Sequence, residues 1–463
     1  MKIETTQLYK SKILCSIFVL TSIFINVYAQ NKCNNSPTAN VCFNEFFCDS
    51  TLRLDYIFSG NKEKQQIAID KYNVMPRWYG KHNNLDILPV EGNGQIIVRC
   101  HNTQQVIYTN SFSTLFQEWL TYDEAEKCTK AFENVFLIPM PRDTVDVTIN
   151  LRNNRREITT SLVHTIAPED ILIRKIGFSK VTPYQTLQQA ADTSKCINIA
   201  FLAEGYKTEE MPTFINDATI AMNALFEHEP FKKYQSKFNI VAVKSASEDS
   251  GTSEPSVGLW KNTAVGSHFS TFYSERYLTT LNIKKLHDLL AGVPYEHIII
   301  LVNTEKYGGG GILNSYNLSM THHPFFKQVV VHEFGHSFAG LADEYAYEQE
   351  PIPMYPSDIE PWEKNITTLV DFNGKWEKMI DKHTPIPTPL NYVKNATSLK
   401  NNKAKKEIKV SNNNIIGAYE GAGYSLKGVY RPCTNCRMKT NEHPYFCPAC
   451  QKAISELIEF YTE

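Results

Sequence analysis

The sequence predicts an α+β protein with two domains, a β-sandwich over residues 30–172 followed by an α/β domain over residues 173–463. The first region contains short stretches of alternating apolar and polar residues separated by turn-forming residues, which is typical of sandwich strands. The second region alternates apolar, strand-like runs with segments of helical periodicity, which favours an α/β layer arrangement. Residues 1–29 fit neither pattern.

The predicted strands of the first domain cover residues 52–60, 95–100, 105–108 and 145–150, and a helical segment at 121–130 interrupts them. The histidines of this domain are scattered, so no catalytic role is predicted for it. In the second domain, strands are predicted at 197–202, 238–243 and 298–302, with helices at 208–225 and 282–290.

The N-terminal segment, residues 1–29, has the pattern of a secretory signal peptide. Lys2, Lys10 and Lys12 precede an apolar run at 13–24, and small residues around Ala29 offer a cleavage site. The apolar run is short for a membrane span, and an N-terminal anchor helix is the alternative. We therefore expect an exported protein that is secreted, periplasmic or attached to the cell surface.

Export would place the cysteines in an oxidising compartment. Of eleven cysteines, Cys15 lies in the leader, and the even number that remains favours disulfides in an oxidising compartment. Cys433, Cys436, Cys447 and Cys450 form two Cys-x-x-Cys pairs. In a cytosolic protein this spacing would indicate structural zinc, so a zinc ribbon is the alternative to disulfides here.

The overall composition excludes some functions. The chain has 47 basic and 49 acidic residues and a formal net charge of -2, so neither a nucleic acid nor an anionic membrane is expected as a partner. A hydrophobic content of 42% over 463 residues is sufficient for two cores.

The most informative motif is His-Glu-x-x-His, formed by His332, Glu333 and His336. Histidines four residues apart lie on one face of a helix, so both imidazoles can bind one Zn²⁺. Pro324 suits the first turn of such a helix, and Gly340 suits its C-terminal end. The zinc would activate a water molecule, and Glu333 would take the proton of that water.

The third metal ligand is predicted to be Asp343. Metzincins place their last ligand in a Gly-x-x-His segment after the helix, and here the helix continues one residue longer before Gly340 and Gly-x-x-Asp. Glycine lets the chain turn back beneath the metal. Glu344 is the neighbouring alternative. A ligand from a later helix is also considered, and its candidates are Asp358, Glu360 and Glu363.

A run of four glycines, residues 308–311, precedes the helix. Glycine permits a close backbone approach, and no Gly-Lys-Ser/Thr follows that would indicate a phosphate loop. The run is interpreted either as an edge strand that pairs with an extended substrate or as a flexible loop.

The segment His-Glu-Phe-Gly-His-Ser-Phe-Ala-Gly-Leu-Ala-Asp-Glu-Tyr at 332–345 resembles the signature of the IgA-peptidase family of bacterial zinc metallopeptidases. Similar segments lie at 203–206, 419–424, 430–432 and 436–438, and the likeness continues through 111–119 into the N-terminal domain found in some members. The resemblance implies a zinc endopeptidase with a metzincin-like core, in which Met438 takes the place of the methionine beneath the metal. It does not imply that immunoglobulin A is cleaved.

Together these features predict a secreted endopeptidase with one catalytic Zn²⁺ bound by His332, His336 and Asp343, and with Glu333 as the general base. Its partner is a protein or peptide substrate. Candidates for oxyanion stabilisation are Tyr430, Arg431 and His443. The alternatives are a non-catalytic cell-surface binding protein that retains a metal site, and another zinc amide hydrolase. The presence of Glu333 favours an enzyme, because a purely structural metal site needs no general base.

Overall fold

The computed structural model describes residues 41–347, 354–392 and 415–463. The predicted signal peptide at 1–29 lies outside these ranges. Among the helices in the described part of the chain, none is long and apolar enough to span a bilayer.

The N-terminal region contains two mainly antiparallel sheets of four strands each, ordered β5-β1-β2-β8 and β4-β3-β6-β7. The two sheets contribute to one apolar core, as a sandwich requires. The strands are β1 (Phe47–Gly60), β2 (Gln65–Met75), β3 (Gly94–Cys100), β4 (Val106–Phe112), β5 (Lys130–Pro141), β6 (Val145–Arg152), β7 (Ile158–Ile166) and β8 (Arg174–Lys175). Three short helices accompany them, α1 (Phe43–Phe46), α2 (Leu115–Trp119) and α3 (Glu124–Lys127).

The second region is built on a six-stranded sheet of order β13-β14-β12-β10-β11-β9. The four inner strands are parallel, and the two edge strands run antiparallel to their neighbours. The strands are β9 (Tyr184–Gln188), β10 (Ile197–Glu204), β11 (Phe238–Val243), β12 (His297–Val302), β13 (Gly309–Ile312) and β14 (Tyr316–Met320). The helices are α4 (Met211–Phe226), α5 (Ile283–Leu289), α6 (Phe326–Ala339) and α7 (Pro448–Thr462), and a hairpin is formed by β15 (Tyr419–Ala422) and β16 (Ser425–Arg431).

The six-stranded sheet is apolar on both faces because it is covered on both sides. Along β10, Ile199 and Phe201 belong to a core shared with α4, α6 and α7. The intervening Ala200 and Leu202 belong to the core that also holds the N-terminal sheets. The N-terminal β region and the second region therefore bury apolar surface against each other. The predicted domain boundary at residue 172 remains a prediction. Just after it, β8 (Arg174–Lys175) pairs with β2 of the N-terminal region.

Helix α6 carries the His-Glu-x-x-His motif and is held by its apolar stripe. Val330, Phe334 and Phe338, which recur every four residues, are buried at 0 to 1% exposure in the core. The helix begins at Phe326, two residues later than Pro324 suggests, and ends at Ala339 before Gly340. The helix packs against β13 and β14, and His332, Glu333 and His336 lie off the buried stripe, where they are only partly buried.

Candidate metal centre and active site

Three ligand atoms converge at one point beside α6. The Nε2 atoms of His332 and His336 are 3.0 Å apart, because residues i and i+4 share one face of the helix. The Oδ1 atom of Asp343 lies 3.1 Å from the first of these nitrogens and 3.4 Å from the second. The structure thus brings together the three residues that the sequence predicted as metal ligands.

Asp343 reaches this position because the chain reverses at Gly340. This residue adopts the left-handed conformation with φ 58°, and its amide bonds to the carbonyl of His336. A Cβ at Gly340 would lie only 2.5 Å from the ring of Trp362, so space as well as φ requires glycine. The reversed segment then passes beneath the helix end, where Asp343 is 6% exposed.

The geometry fits a divalent metal ion with nitrogen and oxygen ligands. Bonds of about 2.0–2.1 Å in a tetrahedral arrangement place ligand atoms roughly 3.3 Å apart, and the three distances here are 3.0, 3.1 and 3.4 Å. The Oδ1 atom of Asp343 is buried and has no hydrogen-bond partner. Two imidazoles and one carboxylate form a donor set typical of catalytic Zn²⁺.

Hydrogen bonds behind the centre fix the orientation of each candidate ligand. His332 Nδ1 lies 3.0 Å from the carbonyl oxygen of Arg437, and His336 Nδ1 lies 2.5 Å from that of Leu341. With the proton on Nδ1 donated to a carbonyl, the Nε2 lone pair is left for the metal. The hydroxyl of Tyr424 donates to Asp343 Oδ2 at 2.5 Å, which holds the carboxylate in place.

The electrostatics of the centre favour a cation. Burial would raise the pKa of Asp343, but the neighbouring His336 and His332 keep it well below its usual range. Burial would lower the pKa of His336, but Asp343 reverses this effect and raises that pKa to about 9. The ionised carboxylate therefore attracts positive charge, and a divalent ion can replace the protons on the imidazoles.

Glu333 lies next to this centre on α6, half-buried under strand β13. A Cβ at Gly309 would be 2.7 Å from Glu333 Oε1, and one at Gly311 would be 2.9 Å from Cβ of His336. The glycines thus let β13 pass directly over the motif. Burial raises the pKa of the Glu333 carboxyl, while the two histidines oppose this shift.

The glycine run is an ordered edge strand and not a flexible loop. Its outer edge is covered at Gly309, since the amide of Leu278 donates to the carbonyl of Gly309 at 3.3 Å and Tyr277 bridges to the same glycine. Pairing of a substrate strand along β13 would therefore be restricted to the residues after Gly309.

The other carboxylates considered as third ligands lie elsewhere. Glu344 points into a separate buried cluster, where its Oε1 lies 3.1 Å from Cys450 Sγ. The three later candidates have partners of their own: Asp358 pairs with Arg155, Glu360 with Lys375, and Glu363 accepts a hydrogen bond from Tyr355. Of these candidates, Asp343 has the geometry of a ligand.

The three residues suggested for oxyanion stabilisation contact other groups. Arg431 donates to the carbonyls of Glu420 and Gly421, His443 packs on the ring of Tyr445 at 4.4 Å, and Tyr430 pairs through its backbone with Thr367. None of these contacts involves the metal centre.

Two residues for which the sequence predicted no role, Tyr345 and Glu118, lie near the centre. The Tyr345 ring contacts that of Tyr424, which donates to Asp343. The charges of Asp343 and Glu333 contribute, after burial, to a raised pKa for Tyr345. Glu118 of α2 accepts a hydrogen bond from Tyr277 at 2.6 Å, and burial raises its pKa to about 7 although His336 acts in the opposite direction. Both lie in segments that carry the family resemblance, at 332–345 and 111–119, but no role was predicted for them, and the position of Glu118 depends on tertiary packing.

Met438 lies against α6 on the side away from β13. A Cβ at Gly335 would be 2.8 Å from its sulfur, so the helix and this buried methionine are in close contact. The carbonyl of Met438 also accepts a hydrogen bond from the Glu344 amide at 2.8 Å. The methionine thus packs against the helix between its two histidines.

A two-histidine, one-carboxylate centre beside a helical glutamate is the type of site found in metal-dependent hydrolases. Comparison with family models identifies the family. The model described as IgA Peptidase M64 matches residues 185–458, and the model described as Peptidase M64 N-terminus matches residues 42–163. The chain belongs to the M64 peptidase family. A search of curated proteins finds no match.

Family membership agrees with the sequence resemblance and implies a metallopeptidase with a metal cofactor and a protein substrate. It also assigns the N-terminal β region to a domain that accompanies M64 peptidases. The family description names IgA, but the identity of the substrate does not follow from membership.

Proposed function

We propose that the protein is an exported, zinc-dependent endopeptidase in which His332, His336 and Asp343 hold the metal and Glu333 is the general base. The observation that carries this proposal is the convergence of the three ligand atoms within 3.4 Å of one another. Glu333 directly follows His332 on the same helix, where it can act as a base without binding the metal. A metzincin-like arrangement is supported by the reversal at Gly340 and by Met438.

When bound, Zn²⁺ would polarise the scissile carbonyl and make a water molecule more acidic. The chain supplies the proton transfers. The Glu333 carboxylate accepts a proton from the attacking water and later delivers it to the leaving amine. Burial raises the pKa of this carboxyl, which brings it closer to the range in which one group can both accept and release a proton.

The second role of the chain is to position the substrate. Strand β13 lies at the edge of the sheet and directly over Glu333, so an extended peptide next to Gly311 and Ile312 would present its backbone to the motif. Tyr345 is our candidate for contact with the developing oxyanion, since it is only partly buried and its ring packs on that of Tyr424, which donates to Asp343. This assignment replaces the three candidates suggested by the sequence.

The test of the catalytic role is Glu333→Gln. The amide cannot accept the proton, so we expect bound zinc and an unchanged fold with kcat lowered at least about 10²-fold. Digestion of a peptide library by wild type identifies a cleaved peptide, and metal analysis of the variant confirms that zinc is retained. Equal turnover of that peptide by the variant would remove Glu333 from the mechanism. Absence of any cleavage by zinc-loaded wild type would favour a binding protein.

The export proposal has its own measurement. Intact mass and N-terminal sequencing of protein recovered from the producing cells should show a chain that begins at Gln30, because the expected cleavage follows Ala29. A full-length chain that stays with the membrane fraction would contradict cleavage and favour the anchor-helix alternative.

A further inference from the structure

A second buried group of metal-binding side chains lies behind the active site. It consists of Cys436, Cys447, Cys450 and Glu344, all at most 1% exposed. One ligand atom from each lies within 4.8 Å of the others. The nine cysteines in the described part of the chain are free thiols, so the disulfides expected for this segment are not formed there.

The distances within this group match metal coordination and not a disulfide. The sulfurs of Cys436 and Cys450 are 3.8 Å apart, whereas bonded sulfurs are about 2.05 Å apart. Zinc–sulfur bonds of about 2.3 Å in a tetrahedron place two sulfurs roughly 3.8 Å apart and a sulfur and a carboxylate oxygen roughly 3.5 Å apart. Glu344 Oε1 lies 3.1 Å from Cys450 Sγ and 3.9 Å from Cys447 Sγ.

The Glu344 carboxylate provides an independent indication of a cation-binding site. Its Oε1 accepts a hydrogen bond from Asn365 at 3.0 Å, but its Oε2 is buried and has no hydrogen-bond partner. Burial of a carboxylate oxygen with neither a donor nor a cation beside it is unfavourable. The Glu344 side chain is fully buried and lies beside three thiols. A metal ion bound among them would compensate the buried charge of the carboxylate.

Burial raises the pKa of the three thiols, but backbone donors are in place to stabilise the thiolates that metal binding would create. The backbone amides of Cys447 and Met438 donate to Cys436 Sγ at 3.2 and 3.5 Å. Cys447 is the N-cap of α7 and Cys450 lies in its first turn, where the helix dipole stabilises negative charge.

Two buried arginines provide positive charge near the group. Arg437 directly follows Cys436 in the chain, and Arg431 is buried close enough to Glu344 to interact with its charge. Three thiolates and a carboxylate around one divalent ion carry a net negative charge, which these guanidinium groups offset.

We propose that Cys436, Cys447, Cys450 and Glu344 hold a second, structural Zn²⁺. Binding converts three thiols to thiolates and releases their protons to solvent. Zinc fits because it is borderline-soft and accepts both thiolate and carboxylate in a tetrahedral site. The site is closed and buried, as structural sites are, and leaves no position for substrate. Cys433 contacts Cys447 but does not belong to the mutually close set.

This ion would join the two segments that complete the catalytic centre. Glu344 directly follows Asp343, and its amide bonds to the carbonyl of Met438 at 2.8 Å. Arg437, between Cys436 and Met438, provides the carbonyl that bonds to Nδ1 of His332. A metal that connects Glu344 to Cys436 therefore fixes the carboxylate ligand and the partner of one histidine relative to each other.

The first experiment measures zinc in the purified mature protein and in a His332→Ala/His336→Ala variant. We expect two zinc ions per chain in wild type and one in the double variant. X-ray absorption of the double variant should show about three sulfurs at roughly 2.3 Å and one lighter ligand at roughly 2.0 Å. A double variant without zinc would overturn the second site, and a four-sulfur shell would overturn the assignment of Glu344.

Because the double variant lacks the proposed catalytic ligands, its zinc content is independent of the proposed peptidase function. Loss of activity with a retained thiolate-bound zinc would leave this inference intact, and active protein with a single zinc would refute it.

The second experiment compares Cys447→Ser with Cys100→Ser. Cys100 lies on β3, outside the group, so its variant should retain two zinc ions, while Cys447→Ser should lose one. If Cys447→Ser does not fold, wild type provides the answer through alkylation under denaturing conditions without reductant. Added chelator should make the cluster cysteines reactive. Cysteines that stay unreactive until a reductant is added would be disulfide-bonded and would overturn the proposal.

Discussion

Replacement of Gly340 by alanine tests whether the reversal after α6 sets the position of Asp343. Gly340 has φ 58°, which costs an alanine about 1–2 kcal/mol. Its Cβ would also lie 2.5 Å from the Trp362 ring. That ring cannot easily move, because its indole N–H donates to Asn93 Oδ1 at 3.0 Å. Overpacking of this kind adds about 1–3 kcal/mol, so the total loss is about 2–5 kcal/mol.

Two other glycines separate these contributions. Gly258 has φ 72° but open space around its Cβ position, so Gly258→Ala should cost about 1–2 kcal/mol from φ alone. Gly374 has open space and no positive φ, so Gly374→Ala should change stability by less than about 0.5 kcal/mol. The assay is the denaturation midpoint of each variant, together with its zinc content.

We expect Gly340→Ala to show the largest loss of stability and to retain less zinc than the other two variants, because a shifted reversal displaces Asp343. A Gly340→Ala protein that is no less stable than Gly258→Ala would refute the steric part of this reasoning. Unchanged zinc affinity in Gly340→Ala would refute the link to Asp343.

Two further predictions concern the ligand set and pH. Asp343→Ala should weaken zinc at the catalytic centre at least about 100-fold, whereas Asp358→Ala, which removes an exposed partner of Arg155, should leave it unchanged; equal zinc affinities in a metal titration would exclude Asp343 as a ligand. Burial lowers the pKa of His297 from 6.5 to about 3, so the unfolded chain binds the proton first and this contribution to stability, complete above about pH 6.5, is lost as the pH falls towards 3. His297→Leu should therefore lose less stability than wild type between pH 7 and pH 5 in denaturant titrations. Identical losses would show that the lowered pKa of buried His297 does not contribute to the pH dependence.

Local chemistry explains why much of the centre could be predicted from the sequence. The spacing of His332 and His336 determines their common face as soon as the segment is helical, and the apolar stripe through Phe334 makes it helical. Gly340 ends the helix through its own backbone freedom, which places Asp343 only a few residues from the histidines. These relationships span fewer than about 15 residues along the chain, the range over which sequence patterns are informative.

The conformation of the glycine run and the chemistry of the cysteine pairs could not be predicted from local sequence. Glycine at 308–311 allows either a strand or a loop, and the choice of an edge strand depends on pairing with β14 and on Leu278. Cys-x-x-Cys pairs allow either disulfides or a metal. The decisive neighbour, Glu344, is about a hundred residues away in the chain, so no local pattern could have included it.

The sequence by itself determined the helix with its two histidines and adjacent glutamate, the reversal that carries Asp343, and the β-rich character of the N-terminal region, because each depends on contacts between near neighbours or on periodicity. Only the tertiary structure decided that Tyr424 supports Asp343 across 81 residues, that Glu118 approaches the centre, and that the sheets of both regions share one core. These contacts join distant segments through packing, and their partners are specified by the complete fold.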